Sequence, residues 1–286
     1  MRFSAVLSFI CAAAALTLSL LCLFAGSSKP FLQSGDILTL NVSRIGHGSA
    51  FNTSDGDDGL LSTLTNDLEA DINSLLDKAA DEVADALNLT DFYSVHIMNY
   101  CQGFFEPNST ARHASKNTTF CSSKKALFHF NATETISNSL PDNISLSEIH
   151  WPDEIEDATT AVRVASIVMF VFYVIGIACA GLATISAVLA VVASGRLSAG
   201  VNFLLDIIAF LALGIASAIA TAGMFKAVHA INKYGHDIGI SATRGATFLG
   251  LTWGATAAAL VASLLSIVQC MAGRKHKEHD DDKLHS

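Results

Sequence analysis

Four long apolar stretches, three of them without any charged side chain, constrain this chain more than any other feature. No Asp, Glu, Lys or Arg stands between Phe3 and Ser28, between Val164 and Ser194, or between Ala246 and Cys270. The run Ala199–Phe225 is interrupted only by Asp206. A helix needs about 20 apolar residues to cross the hydrocarbon core of a bilayer, and each run meets that length. Helices also satisfy their own backbone hydrogen bonds, which lipid demands. Mean hydropathy of +0.45 with 15% charged residues is too apolar for an ordinary soluble domain. The expected fold class is therefore an all-α integral membrane protein, a four-transmembrane-helix bundle with a large extracellular loop.

The expected layout is a first transmembrane helix over 1–26, an extracellular loop over 27–163 and a second transmembrane helix over 164–194. A cytoplasmic turn over 195–200, a third helix over 201–225 and a short extracellular loop over 226–244 follow. A fourth helix over 245–270 and a cytoplasmic tail over 271–286 complete it. The first run also fits a signal peptide with a small-residue cleavage region at Ala25-Gly26-Ser27. Its apolar core exceeds the roughly 7–15 residues of a signal core, which favours an uncleaved anchor. With both termini inside, Arg2, Arg196, Arg274, Lys275, Lys277 and Lys283 fall on the cytoplasmic side. Only Lys226, Lys233 and Arg244 fall in the short outer loop, a bias in the direction of the positive-inside rule.

The long loop carries the asymmetry of the chain. Residues 27–163 hold 20 acidic and 8 basic side chains, a net charge of -12. That disfavours nucleic acid, so none is expected as a partner, and it argues against anionic lipid on this face. All seven Asn-x-Ser/Thr sequons lie here, at Asn41, Asn52, Asn88, Asn108, Asn117, Asn131 and Asn143, as expected for a glycosylated segment. Of six cysteines only Cys101 and Cys121 lie outside the apolar runs. A bridge between them suits an oxidising exterior, the alternative being two free thiols.

Within the loop, Leu61, Leu64, Leu68, Ile72, Leu75, Ala79, Val83 and Leu87 recur at helical spacing among acidic residues. They predict an amphipathic helix over about 58–88. The period then changes to two. Tyr93, Val95, Ile97 and Cys101 predict one strand over about 92–101, and Ala126, Phe128 and Phe130 a second over about 124–131. The result would be a small disulfide-stapled β element.

Three segments carry a family resemblance: FYSVHIMNYC at 92–101, TFCSSKKALFHFN at 119–131 and SGRLSAGVNFLLDIIAFL at 194–211. With the span layout they resemble the fungal Sur-seven/PalI family, claudin-like four-span proteins of plasma-membrane cortical patches, or eisosomes. Met98 occupies a position where many members carry Trp. The resemblance implies a plasma-membrane protein that organises immobile membrane subdomains, with roles in endocytosis and cell-wall integrity. Its implied partners are the lipid bilayer, further copies or other cortical-patch proteins, and the cell wall through the outer loop. A PalI-like component of ambient-pH signalling is the alternative, and a channel or transporter a more distant one.

Candidate chemistry is sparse. No nucleophile elbow, HExxH or phosphate-cradling glycine loop occurs, so neither enzyme activity nor a cofactor is expected. His276, His279 and His285 show no metal-ligand spacing, and no metal site is expected. Asp206 is the one carboxylate inside a span, roughly 10 Å from its cytoplasmic end at 1.5 Å per residue. It is read as a structural hydrogen-bonding or interfacial group. Gly176 with Ala180, Gly214 with Ala218 and Ala222, and Gly250 with Gly254 form small-xxx-small patterns suited to close helix packing. The loop histidines His96, His113, His129 and His150 are candidate pH-responsive groups. Cys270 stands where palmitoylation would be possible.

Overall fold

The apolar runs become long helices because a helix satisfies its own backbone hydrogen bonds, which lipid demands. In a computed structural model, residues 2–29, 31–45, 90–109, 111, 114–138, 159–192 and 196–284 are described. The order is α1 (Arg2–Phe24), β1 (Leu38–Asn41), β2 (Phe92–Val95), β3 (Tyr100–Glu106), β4 (Ser115–Cys121), α2 (Ala132–Ser137), α3 (Thr159–Val192), α4 (Arg196–Tyr234), β5 (Ser241–Arg244) and α5 (Ala246–Leu284). Stretches Val6–Phe24, Thr160–Val188, Gly200–Tyr234 and Ala246–Gln269 are long and apolar enough to cross a membrane. The predicted amphipathic helix over 58–88 lies outside the described residues.

The chain divides into two compact units. The helical unit takes residues up to Phe24, 167–221 and 246 onward. Its interior is small: Ala12 and Ala15 of α1, Ala180 and Ala183 of α3, Ala212 and Ala216 of α4, and Ala255 and Ala259 of α5 are all buried. Many of its large apolar side chains point outward, with Ile185, Leu204, Leu211, Leu264 and Val268 each more than half exposed. A water-soluble bundle would place these the other way round. Lipid solvates the leucines, while alanines let the helix backbones approach.

The other unit, residues 25–166 and 222–245, is built on one antiparallel sheet of order β4-β3-β2-β1-β5. Its apolar interior includes Leu40, Phe92, Tyr93, Ile97, Ile136 and Ile240. The fold is thus not all-α with a small β element. Strands from both inter-span segments join one five-stranded sheet, with β5 pairing β1 from Leu38↔Arg244 to Asn41↔Ser241.

Several expected boundaries are corrected. The strand predicted over 92–101 is two strands, because the His96 N–H donates to Asn99 O (2.9 Å) and turns the chain between β2 and β3. Tyr93, Val95, Ile97 and Cys101 therefore do not share one strand face. The second strand is not 124–131 but Ser115–Cys121, upstream of it. Leu127 adopts φ 59 and Asn131 caps α2, so Ala126, Phe128 and Phe130 lie in a loop despite their alternation. The turn predicted over 195–200 gives way at Arg196, where α4 begins, and α4 continues beyond 225 to Tyr234. Likewise α5 runs through the expected tail to Leu284.

Candidate functional site

Three polar features stand out, two in the sheet unit and one in the helical unit. The first centres on Lys116. From β4, the outermost strand, its ammonium donates to Thr39 Oγ1 and reaches Ser94 Oγ and Asp36 Oδ2, both at 3.5 Å. Asp36 is buried and also accepts from Thr39 Oγ1 at 2.5 Å. Lys116 additionally lies 5.7 Å from the Phe92 ring centroid. A buried carboxylate without a cation would be costly, so Lys116 ties the sheet edge to its middle. In the same unit, β3 and β4 are covalently joined by the Cys101–Cys121 disulfide, the two residues facing each other in register.

Beside this cluster His96 is buried at 1% exposure, and neither ring nitrogen has a hydrogen-bond partner among the described residues. Its ring packs on Gly26, whose φ of +67° suits glycine and whose Cβ, if present, would stand 2.3 Å from the imidazole. Asn99 fixes the same corner, donating from Nδ2 to Gly26 O at 2.7 Å. Burial holds the His96 pKa below its ordinary value of 6.5, and Lys116 acts in the same direction. Asp36 and the backbone of Gly35, which faces the ring outside hydrogen-bond geometry, favour the charged form but do not prevail.

Stability contributed by neutral His96 is complete above the unfolded value near 6.5. It falls as pH drops from there toward the lowered folded value, and the loss then levels off. Melting of the purified protein between pH 7.5 and 5 should therefore show a decline that His96→Phe flattens. An unchanged pH profile in that variant would remove His96 as the responsible group.

The second feature is a groove of about 560 Å³ next to β3, lined by Tyr100, Phe120, Phe128, Phe130 and Asn131 among others. Tyr100 stacks with Phe128 at 6.5 Å and meets Phe130 edge-on at 5.7 Å.

The third feature gathers all four long helices around Asp206. Its Oδ2 accepts from Ser266 Oγ of α5 at 2.6 Å and from Asn202 Nδ2, one turn earlier on α4, at 3.1 Å. Asn202 Oδ1 accepts from Ser186 Oγ of α3 at 2.5 Å, and Ser8 of α1 lies 3.3 Å from Ser266 Oγ. Asp206 is 2% exposed. A second cross-helix set joins Tyr173, Ser217, Thr252 and Thr256 through their hydroxyls. Intramembrane hydrogen bonds average about 0.6 kcal/mol, up to about 1.7. Asp206→Ala, which orphans two donors, should cost about 1–2 kcal/mol, read as a lower melting temperature in detergent. An unchanged melt would mean the cluster holds nothing together.

The other small-residue positions divide by location. Gly176 packs against Leu213, where a Cβ would come within 2.7 Å, and Ala180 is buried. Gly214 and Gly254 make ordinary contacts with Thr256 and Leu18. Ala218, Ala222 and Gly250 are exposed. Among the sequons, Asn41 sits at the end of the inner strand β1 and accepts from Ser43 N and Oγ, and Asn117 is exposed on β4. Asn108 lies in the β3–β4 connection and Asn131 caps α2. Asn52, Asn88 and Asn143 lie outside the described residues, as do His113 and His150.

Sequence reasoning singled out Asp206 but not its partners. Asn202, four residues earlier on the same helix face, carried a visible signal; Ser8, Ser186 and Ser266 carried none. Nor did any spacing announce Asp36, Thr39, Ser94 and Lys116, which only the sheet brings together. No group of three or more His, Cys, Asp or Glu side chains suited to a metal occurs among the described residues.

Helices with lipid-suited exteriors and alanine interiors, joined in one chain to a disulfide-bridged sheet unit, define a multi-pass membrane protein in contact with the bilayer. The sequence profile of the SUR7/PalI family matches residues 4–265, and the chain belongs to that family. It is similar to "SUR7 family protein pun1" of Schizosaccharomyces pombe, with 26% identity over 213 residues, 73% of this chain and 70% of that protein. No solved structure matches.

Proposed function

We propose that this chain is a non-enzymatic organiser of plasma-membrane cortical patches of the eisosome type, with both termini cytoplasmic and the sheet unit outside. It would contribute to subdomain organisation, endocytosis and cell-wall integrity. The observation that carries the reading is the pairing of β5 with β1. A sheet that draws on both inter-span segments requires both to lie on one side of the membrane, and a disulfide between β3 and β4 suits an oxidising exterior. There the sequons meet the glycosylation machinery. The exposed positions Ala218 and Gly250 leave a small-residue surface for lateral association with further copies or other patch proteins. A C-terminally tagged copy, imaged live beside a cortical-patch marker, should form static puncta that coincide with it. Free diffusion in the membrane, or retention in internal membranes, would overturn the reading.

His96, buried and without a hydrogen-bond partner among the described residues, favours a second reading, a PalI-like role in ambient-pH signalling from the outer face. A deletion strain with a normal transcriptional response to alkaline medium would remove it.

A further inference from the structure

We propose that the aromatic groove beside β3 is the seat of this chain's own N-glycan, carried on Asn131. The inference rests on the outward placement of the sheet unit proposed above.

The groove is large enough for a small-molecule ligand, its roughly 560 Å³ falling in the usual range of about 300–1,000 Å³. Its chemistry is that of a saccharide site. Tyr100, Phe120, Phe128 and Phe130 line it with aromatic surface suited to the C–H side of a pyranose, and Gln102 and Asn138 add amides suited to its hydroxyls. Phe120 is 48% exposed and Leu127 44%, an apolar surface left open on a unit that faces water in the proposed topology.

The occupant is identified by Asn131, which lines this groove and heads the sequon Asn131-Ala132-Thr133. Phe128 stands three residues before it, on the incoming chain. The fold leaves Asn131 able to carry a sugar. Its Oδ1 accepts the cap hydrogen bond from Glu134 N at 3.2 Å, a role that glycosylation leaves intact. One N–H of its Nδ2 points to Glu134 Oε2 at 3.3 Å, and the other is available for replacement. In the transfer, Nδ2 forms a bond to C1 of N-acetylglucosamine. The bond from C1 to the pyrophosphate of a lipid-linked oligosaccharide donor breaks, and the lipid pyrophosphate and the amide proton leave. Two other described sequons have no such seat: Asn117 is exposed on the edge strand and points to Glu106 Oε1 at 2.5 Å, and Asn41 is held by Ser43 at the end of the inner strand β1.

The test uses the full chain made in a eukaryotic secretory host and purified in detergent. Intact-glycopeptide mass spectrometry reads occupancy at Asn131. Resistance of each glycan to a peptide-N-glycosidase under native conditions reads docking. A double-mutant cycle then joins Asn131→Asp, which keeps a capping carboxyl oxygen but cannot be glycosylated, with Phe128→Leu, which keeps apolar bulk but removes the ring. We expect Asn131 to be occupied and released more slowly than Asn117. We also expect Asn131→Asp to lower the melting temperature by about 2–4 °C, the shift of a roughly 1 kcal/mol contact, and to do little in the Phe128→Leu background. Equal release from both sites, or the same shift in both backgrounds, would mean the glycan is not docked. An unmodified Asn131 beside a modified Asn117 would overturn this inference alone. A chain unmodified at every sequon would overturn the outward placement as well.

Discussion

Gly245→Ala is expected to destabilise the sheet unit by about 3 kcal/mol or more, at the upper end of overpacking costs. Gly245 is the residue between β5 and α5, where the chain leaves the sheet for its last apolar helix. An added Cβ would stand 1.6 Å from Asp36 O and 2.7 Å from the Asp36 carbonyl carbon. These are backbone atoms, so no side-chain rotation relieves the contact. Relief requires β5 to slide away from β1, which would break the Gly245 N–H bond to Ile37 O (3.0 Å) and disturb the Leu38↔Arg244 pair beside it. Asp36 would move too, and with it the acceptor of Lys116 and Thr39. One methyl group would thus loosen both an edge of the sheet and the ion pair across it. Gly250→Ala is the control, because nothing lies within 4 Å of a Cβ built there and alanine favours helix. Thermal melting and limited proteolysis of the two variants should separate them clearly. Wild-type melting of Gly245→Ala would mean that β5 is not seated against β1 as described.

Cys101→Ser and Cys121→Ser should each lower stability by about 3 kcal/mol, the chain-entropy value for a loop closed over twenty residues. Cys101 is fully buried on β3 and Cys121 is partly exposed on β4. Either substitution frees β4, which carries Lys116. The edge strand then has less to hold it over Asp36, and the loss of the staple reaches the polar cluster. Reductant should bring the wild type down to the level of the variants and leave the variants where they are. Surface delivery should fall in parallel for both. Variants that match the wild type, or that differ widely from each other, would show that the bridge does not stabilise the unit.

How much of this was legible in the sequence depends on the range of the forces involved. Cys101 and Cys121 stood out because they were the two thiols outside apolar runs. The spans stood out because transfer into lipid is summed residue by residue along a local stretch. Strand positions were legible only in part. Phe92–Val95 lies inside the predicted strand, but the turn at His96–Asn99 depends on one backbone hydrogen bond that leaves no periodic trace. The alternation of Ala126, Phe128 and Phe130 imitated a strand with no partner to pair with, since β4 already occupies that side of β3. There the aromatic side chains line a groove instead. β5, Ser241–Arg244, is short and polar and carried no pattern at all, because its existence depends on β1.

By itself, then, the sequence determined which segments are apolar enough to enter a bilayer and which carry the acidic, sequon-bearing surface. These are local properties, additive along the chain. Only the tertiary structure decided that β1 and β5 pair from opposite ends of the chain. Only it decided that Lys116 answers Asp36, and that Ser8, Ser186, Asn202 and Ser266 converge on Asp206. Hydrogen bonds and ion pairs act over a few ångströms and need two exact placements at once. Residues far apart in sequence acquire those placements together, when the strands register and the helices pack.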